Sequence, residues 1–329
     1  MKVLISGANG LVGNALCQAL TAQGHDIVKL VRPKAGQTVG ANEIRWNPAK
    51  GLIDTEALEA AHVDAVIHLA GEPIVGLGWS SAKKAAIKNS RVQGTLVLAN
   101  ALAGLEHKPH SFISASAIGY YGHRGDTELS ETADPGHAIH RQPRDKPFFL
   151  CDPQWGPDFL AATCQAWEEA ALPAKAAGIR VANMRLGIVL SPDGGALKTM
   201  LPAFMLGAAG PFGDGKQFMS WVSLDDVVGA FIHTLNTASL KGPINVVAPN
   251  PVTNKVFTRA LSKRAFLFKP LAGLANSIAA PALALRLSPV GEMANALFLA
   301  STKVRPVRLQ ETGYQFKHAE LDEALKALL

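Results

Sequence analysis

Lys2-Val3-Leu4-Ile5-Ser6-Gly7-Ala8-Asn9-Gly10-Leu11-Val12-Gly13 is the stretch from which the rest of the chain is read. Val3, Leu4 and Ile5 form a continuous apolar run of strand formers, after which glycine recurs every third residue, at Gly7, Gly10 and Gly13. The order spells strand, tight turn and helix start. Gly7 can take a backbone angle closed to other residues. Gly10 keeps any side chain from between the backbone and a pyrophosphate, and Gly13 lets the helix lie close to the strand. Asn9 and the unpaired amides of the first helical turn, at Leu11 and Val12, then face anionic oxygens. An amphipathic helix is predicted from about Leu11 to Gln23, with Gly24 where a cap belongs.

Outward from this motif the pattern alternates. Asp26 to Val31 is a second strand ending at Arg32. An acidic residue at such a strand end binds ribose hydroxyls, whereas a basic one accommodates a 2′-phosphate, so Arg32, with Lys34 beside it, favours NADP over NAD. Ile44 to Trp46 is a third strand, Thr55 to Ala61 a short helix, and Asp64 to Leu69 a fourth strand running into Ala70-Gly71. Leu69, Ala70 and Gly71 let backbone lie against the cofactor. Glu72 is either a pocket-facing group or a turn carboxylate. A long helix follows from Ser80 to Leu102, then a fifth strand from Ser111 to Ser116 whose hydroxyls, Ser114 and Ser116, sit at a strand end where they can hydrogen-bond a ligand. Alternating βαβ units predict an α/β fold: a Rossmann-type, doubly wound parallel sheet with its ligand crevice at the strand ends.

The G-x-x-G-x-x-G spacing matches the extended short-chain dehydrogenase/reductases, and the resemblance grows along the chain. Asn89-Ser90-Arg91-Val92-Gln93-Gly94-Thr95 resembles the superfamily's helix that packs beneath the cofactor, which implies a buried Asn89 and a close-packed Gly94. Ser114-Ala115-Ser116-Ala117-Ile118-Gly119-Tyr120-Tyr121-Gly122 resembles its serine-rich strand end, placing Ser116 at the catalytic serine position. The superfamily's next helix carries Tyr-x-x-x-Lys, in which lysine lowers the tyrosine pKa. Here that helix is expected from Asp158 to Ala177, with Leu160 at the tyrosine position and Cys164 at the lysine position. Neither can exchange the proton, so Tyr121 or Tyr120 is the candidate donor in its place.

This loss and the segments Arg185–Leu197, Ser220–Asp226, Asn250–Asn254 and Gly291–Ala294 resemble a narrower group: atypical extended members termed epimerase-family proteins, whose C-terminal lobe ends in a domain of unknown function. The resemblance implies a fold and a cofactor, NADP(H), more firmly than a reaction. A proline-rich insertion at about 136–155 departs from the group and reads as a lid or partner surface. Its His137, His140, Cys151 and Asp152 lack metal-type spacing, and no metal is expected.

A sixth strand is predicted from Arg180 to Leu190, a helix from Ala196 to Gly207, and then a flexible loop through Gly215. Lys216, Met219 and Trp221 follow where the resemblance places a substrate clamp, although one cation is little for a nucleotide diphosphate. Asp225 and Asp226 read as the capped start of a helix from Leu224 to Asn236. Val256 to Arg264 and Ala319 to Leu329 are further helices. Residues 1–190 are thus expected to form the cofactor domain and 191–329 a smaller α+β substrate lobe, some of it returning to the main sheet.

Composition bounds the partners. The chain has 329 residues, 48% hydrophobic and 18% charged, enough for a large core. A net charge of +6 without a basic block gives no reason to expect nucleic acid. The apolar stretch from Leu271 to Leu287 is interrupted by Asn276, Ser277, Pro281 and Arg286 and makes a poor membrane span. Cys17, Cys151 and Cys164 read as reduced thiols, and with a first strand starting at residue 2 a cytoplasmic protein is expected. The expected function is NADP(H)-dependent oxidoreduction of a small carbonyl or alcohol substrate. A non-catalytic NADPH sensor or scaffold and a nucleotide-sugar epimerase stay open, as does a homodimer.

Overall fold

A computed structural model describes residues 1–33, 37–75, 78–136, 159–206, 209–265 and 291–329. Lys34, the insertion beyond Gly136 with its histidines and Cys151, Gly207-Ala208 and the Leu271–Leu287 stretch lie outside these residues. The first half runs β1 (Lys2–Ser6), α1 (Leu11–Ala22), β2 (Asp26–Val31), β3 (Glu43–Asn47), β4 (Leu52–Ile53), α2 (Thr55–Ala61), β5 (Ala65–His68), α3 (Ser81–Gly104), β6 (Ser111–Ala117) and β7 (Glu128–Leu129). Next come α4 (Phe159–Glu169), α5 (Leu172–Ala176), β8 (Arg180–Leu186), β9 (Ile188–Ser191), α6 (Gly195–Met205), β10 (Phe218–Met219), β11 (Trp221–Ser223), α7 (Leu224–Asn236) and β12 (Gly242–Val246). The chain closes with β13 (Val252–Thr253), α8 (Asn254–Ala265), α9 (Gly291–Ala294), β14 (Lys303–Val304), α10 (Val307–Glu311) and α11 (Leu321–Leu328).

The main sheet has the order β12-β8-β6-β5-β1-β2-β3-β4. Its pairings are parallel except at the edge, where β4 runs antiparallel to β3. Strand order reverses at β1, so the carboxyl ends of β1 and β5 border the crevice where such sheets bind ligands. This is the expected Rossmann-type, doubly wound architecture. Side chains alternate across the sheet. Val3, Ile5, Ile67 and Ile113 face Leu16 and Leu20 of α1 and Val227 and Phe231 of α7. Leu4, Val66 and Phe112 face Leu58 of α2 and Leu98 and Leu102 of α3. Each such enclosed side chain is worth about 1.5–3 kcal/mol relative to exposure.

Three local expectations are corrected. The sixth strand is two: at Gly187, where a Cβ would stand 2.6 Å from the Ser220 carbonyl oxygen, the chain leaves the main sheet and β9 pairs in parallel with β11 instead. The Asp158–Ala177 helix is interrupted at Ala170-Ala171, since Pro173 has no amide to continue it and stands in the first turn of α5. The cap of α7 is Ser223, whose hydroxyl accepts the Asp226 amide at 3.1 Å, and not an aspartate. A separate core of Leu190, Leu197, Phe204, Trp221, Phe257 and Leu325 unites the later elements. These elements return to the first half: Glu292 of α9 pairs with Lys84 of α3 at 2.9 Å, and β14 pairs with β7.

Candidate functional site

The cradle at the β1–α1 turn is made of backbone. Gly7 has φ +70°, and a Cβ there would stand 2.9 Å from the Ala70 amide nitrogen. At Gly13 it would stand 2.1 Å from the Gly7 carbonyl oxygen, so the two glycines are what let β1, α1 and the end of β5 meet. Gly10 is the N-cap of α1 and brings no side chain to its amides. The first-turn amides, including those of Leu11 and Val12, are therefore left for an anion. The side chains of Leu11 and Val12 are packing groups, Leu11 under Gly194 and Val12 against the core.

A cavity of about 500 Å³ opens over this cradle. Gly7, Asn9, Gly10, Arg32, Leu69, Ala70 and Gly71 line it, as do Lys29, Gln37, Thr38, Glu43 and Trp46, which the sequence reading did not single out. Gly13 lies behind the wall, and Ser114 is buried, its hydroxyl donating to the Ala115 carbonyl at 3.2 Å. Two cations, Lys29 and exposed Arg32, share the wall with Glu43, whose carboxylate accepts the Gly40 amide at 2.9 Å. Lys29 was legible only through the period-2 alternation of β2, which places it and Val31 on one face.

The turn after β5 is held from below. Ser6 Oγ accepts the Leu69 and Ala70 amides at 3.1 and 3.3 Å, so its own proton goes to His68 Nδ1 at 2.6 Å. His68 is fully enclosed, and burial pushes its pKa down to about 4, so it is neutral. Ser90 Oγ accepts the Glu72 amide at 2.9 Å, and the Arg91 guanidinium donates to the Glu72 carbonyl at 2.9 Å while lying over the Trp167 ring. Asn89, expected to be the buried polar group, is exposed; Ser90 and Arg91 do that work on the inward face of α3. Gly94 has only ordinary contacts around it, the nearest at 3.7 Å, so close packing does not require glycine there.

At the far shoulder, β6 and β8 set Ser116 opposite Arg185, and α4 brings Glu168 across both. Ser116 donates to Glu168 Oε1 at 2.7 Å, and Arg185 grips both carboxylate oxygens at 2.8 and 2.9 Å. Arg185 also donates to the Tyr121 hydroxyl at 2.9 Å, which donates to Asn245 Oδ1 at 2.6 Å. Tyr121 is fully enclosed, and burial pushes its pKa up to about 12. It is therefore a structural phenol, which corrects the expectation of a catalytic one. The half-buried Tyr120 ring lies over the Arg185 guanidinium, 3.4 Å from its centroid. Leu160 and Cys164 pack over Gly119, where an added Cβ would meet them at 3.2 and 3.8 Å.

The substrate candidates are not brought together. Glu72 forms an ion pair with Lys83 at 2.7 Å and keeps a half-exposed carboxylate. Lys216 is exposed, its amide bonded to Asp214. Met219 and Trp221 are buried in the core of the later elements; Trp221 is fully enclosed and cannot touch a substrate as expected. Asp226 accepts the Lys317 and His318 amides at 2.7 and 3.0 Å, which makes it a strut for the C-terminal segment. Among the described residues no helix is long and apolar enough to cross a membrane.

Residues 3–144 match the model of the NAD dependent epimerase/dehydratase family, and residues 280–328 match a domain of unknown function, DUF1731. The epimerase family protein ML0860 of Mycobacterium leprae is 36% identical over 323 residues, 98% of this chain and 94% of that protein. The crystal structure of the human epimerase family protein SDR39U1 (isoform 2) with NADPH superposes with a TM-score of 0.78 at 30% identity, covering 100% of this chain and 99% of that one. A nucleoside-diphosphate sugar epimerase from Corynebacterium glutamicum superposes at 0.75 with 32% identity, this chain spanning 58% of its length.

Proposed function

The chain belongs to the epimerase family, and from that premise we propose that it is an NADP(H)-dependent oxidoreductase of the extended short-chain type, acting on a small carbonyl or alcohol. The observation that carries this reading is the cavity whose floor is a glycine cradle and whose wall holds Arg32 and Lys29. Its size suits the adenosine and pyrophosphate half of a dinucleotide. The relative SDR39U1 was solved with NADPH, and NADP(H) is the cofactor of this chain. Gly7, Gly10 and the first amides of α1 would hold the pyrophosphate, Arg32 and Lys29 the 2′-phosphate, and the backbone of Leu69-Ala70-Gly71 would lie along the cofactor. When bound, the nicotinamide supplies or accepts a hydride.

The remaining work falls to the shoulder. Ser116 directs its proton to Glu168, so what it offers a ligand is a lone pair, suited to accepting from a substrate hydroxyl. Tyr120, whose ring lies on the Arg185 guanidinium, is the phenol left to exchange a proton with the substrate oxygen. The test is NADPH oxidation followed optically against a panel of aldehydes and ketones. A turned-over carbonyl should lose about 10²–10⁴-fold in rate in Tyr120→Phe, with NADPH affinity retained.

A second reading, an NADPH-binding protein without turnover, is favoured by Leu160 and Cys164 packed over Gly119 where an acid and its lysine are needed. Tight NADPH binding with no oxidation by any member of the panel would select it.

A further inference from the structure

We propose that Glu59, His62 and His107 form a binding site for a divalent transition-metal ion, zinc by preference, at the end of the sheet opposite the crevice. Glu59 and His62 stand three residues apart at the end of one helix, a Glu-x-x-His spacing, and His107 joins them from much later in the chain. Glu59 is in the last turn of α2, His62 is that helix's C-cap, and His107 lies between α3 and β6. One ligand atom from each lies within 4.8 Å of the other two. His62 precedes β5 and His107 precedes β6, so both sit at the amino ends of parallel strands, away from the cofactor cavity.

The site is partly built. Glu59 accepts the amides of Glu106 and His107 at 2.9 and 3.1 Å, and these two bonds fix the carboxylate and hold its pKa below the usual range. His107 Nδ1 already lies 3.2 Å from Glu59 Oε1. Donors about 2.1 Å from a tetrahedral zinc stand roughly 3.4 Å apart, so this pair needs almost no movement. The His62 ring stands across from that of His107, with centroids 4.5 Å apart and planes at 74°. Both rings are exposed and free to close the remaining distance. His62 also holds φ +45°, the one positive φ outside glycine among the described residues. Histidine is among the few side chains that populate this left-handed region, and the helix ends there.

Two imidazoles and one carboxylate suit zinc and its neighbours rather than magnesium or calcium, which take oxygen donors. Solvent would complete the coordination. The ion would staple α2 to the α3–β6 connection and take no part in reactions at the crevice.

The experiment is a calorimetric zinc titration of the untagged full chain in a non-chelating buffer, repeated with cobalt(II) for its visible absorption. One equivalent should bind, and both His107→Ala and His62→Asn should lose about tenfold or more in affinity. Asparagine, like histidine, tolerates the positive φ, so His62→Asn removes the ligand while leaving the cap in place. NADPH binding, read in parallel, should not change. Zinc affinity indifferent to both substitutions, or a folded wild-type chain that takes up no zinc, would overturn the site.

Discussion

The two ends of the crevice use polar groups in opposite ways. At the β1–α1 turn the backbone leaves its amides unsatisfied and two cations stand on the cavity wall. At the β6–α4–β8 shoulder Ser116, Glu168, Arg185, Tyr121 and Asn245 spend their hydrogen bonds on one another, and Arg185 and Tyr121 are almost wholly enclosed. An open end waits for a charged ligand; the closed end holds the fold and leaves only a Ser116 lone pair and the Tyr120 phenol to meet a substrate. The difference teaches that a residue whose chemistry suits catalysis can be spent on structure, as Tyr121 is here.

If the shoulder is structural, breaking it should cost stability first. Glu168→Ala leaves Arg185 buried without its carboxylate and should destabilise by about 3–5 kcal/mol in urea unfolding, whereas Glu168→Leu combined with Arg185→Met should recover most of that. A variant as stable as wild type would mean that the shoulder is not the strut described. If the cradle is for ligand, its variants should spare the fold. Gly10→Asp sets a carboxylate against the anion and should weaken NADPH by about 100-fold or more while the melting curve barely shifts. Unaltered affinity would separate the cradle from the cofactor.

Arg32→Glu should lower the preference for NADPH over NADH by roughly tenfold to a hundredfold, the worth of about 1.5–3 kcal/mol for a charged hydrogen bond. His68, bonded to Ser6 beneath the open end, sharpens the comparison by pH. Its folded pKa of about 4 lies below the unfolded value, so the unfolded chain binds more protons between about pH 4 and 6.5. Its contribution is complete above that window and is lost as pH falls through it, at no more than about 1.4 kcal/mol per pH unit. Urea unfolding at pH 7, 6 and 5 should show that slope in wild type and a shallower one in His68→Leu; identical slopes would remove the titration from His68.

The open end was legible in the sequence because its requirements are local. Gly13 is needed by contacts with Gly7 and Ala8 and Gly7 by its own φ of +70°, and the strand and helix periods around them are long and regular, although Leu69 and Ala70, which also crowd Gly7, come from far along the chain. Strand β2 and helices α2 and α7 fall where the pattern put them. What escaped depends on distant neighbours. Gly187 ends a strand where Ser220 and Val247 crowd it, and Asn89 is exposed while Ser90 and Arg91 of the same helix reach the Glu72 backbone. Trp221 and Tyr121 looked like site residues for their chemistry and position in a motif. Only the packed later elements around one, and the Arg185–Glu168 pair beside the other, reveal them as core.

The most direct test of the open end is a calorimetric titration of the purified chain with NADPH and with NADH, after any cofactor carried through purification has been removed. One-to-one binding of NADPH at least about tenfold tighter than NADH is the expected result, since the 2′-phosphate offers Arg32 and Lys29 on the cavity wall an anion that NADH lacks. Equal affinities, or no binding of either, would contradict it.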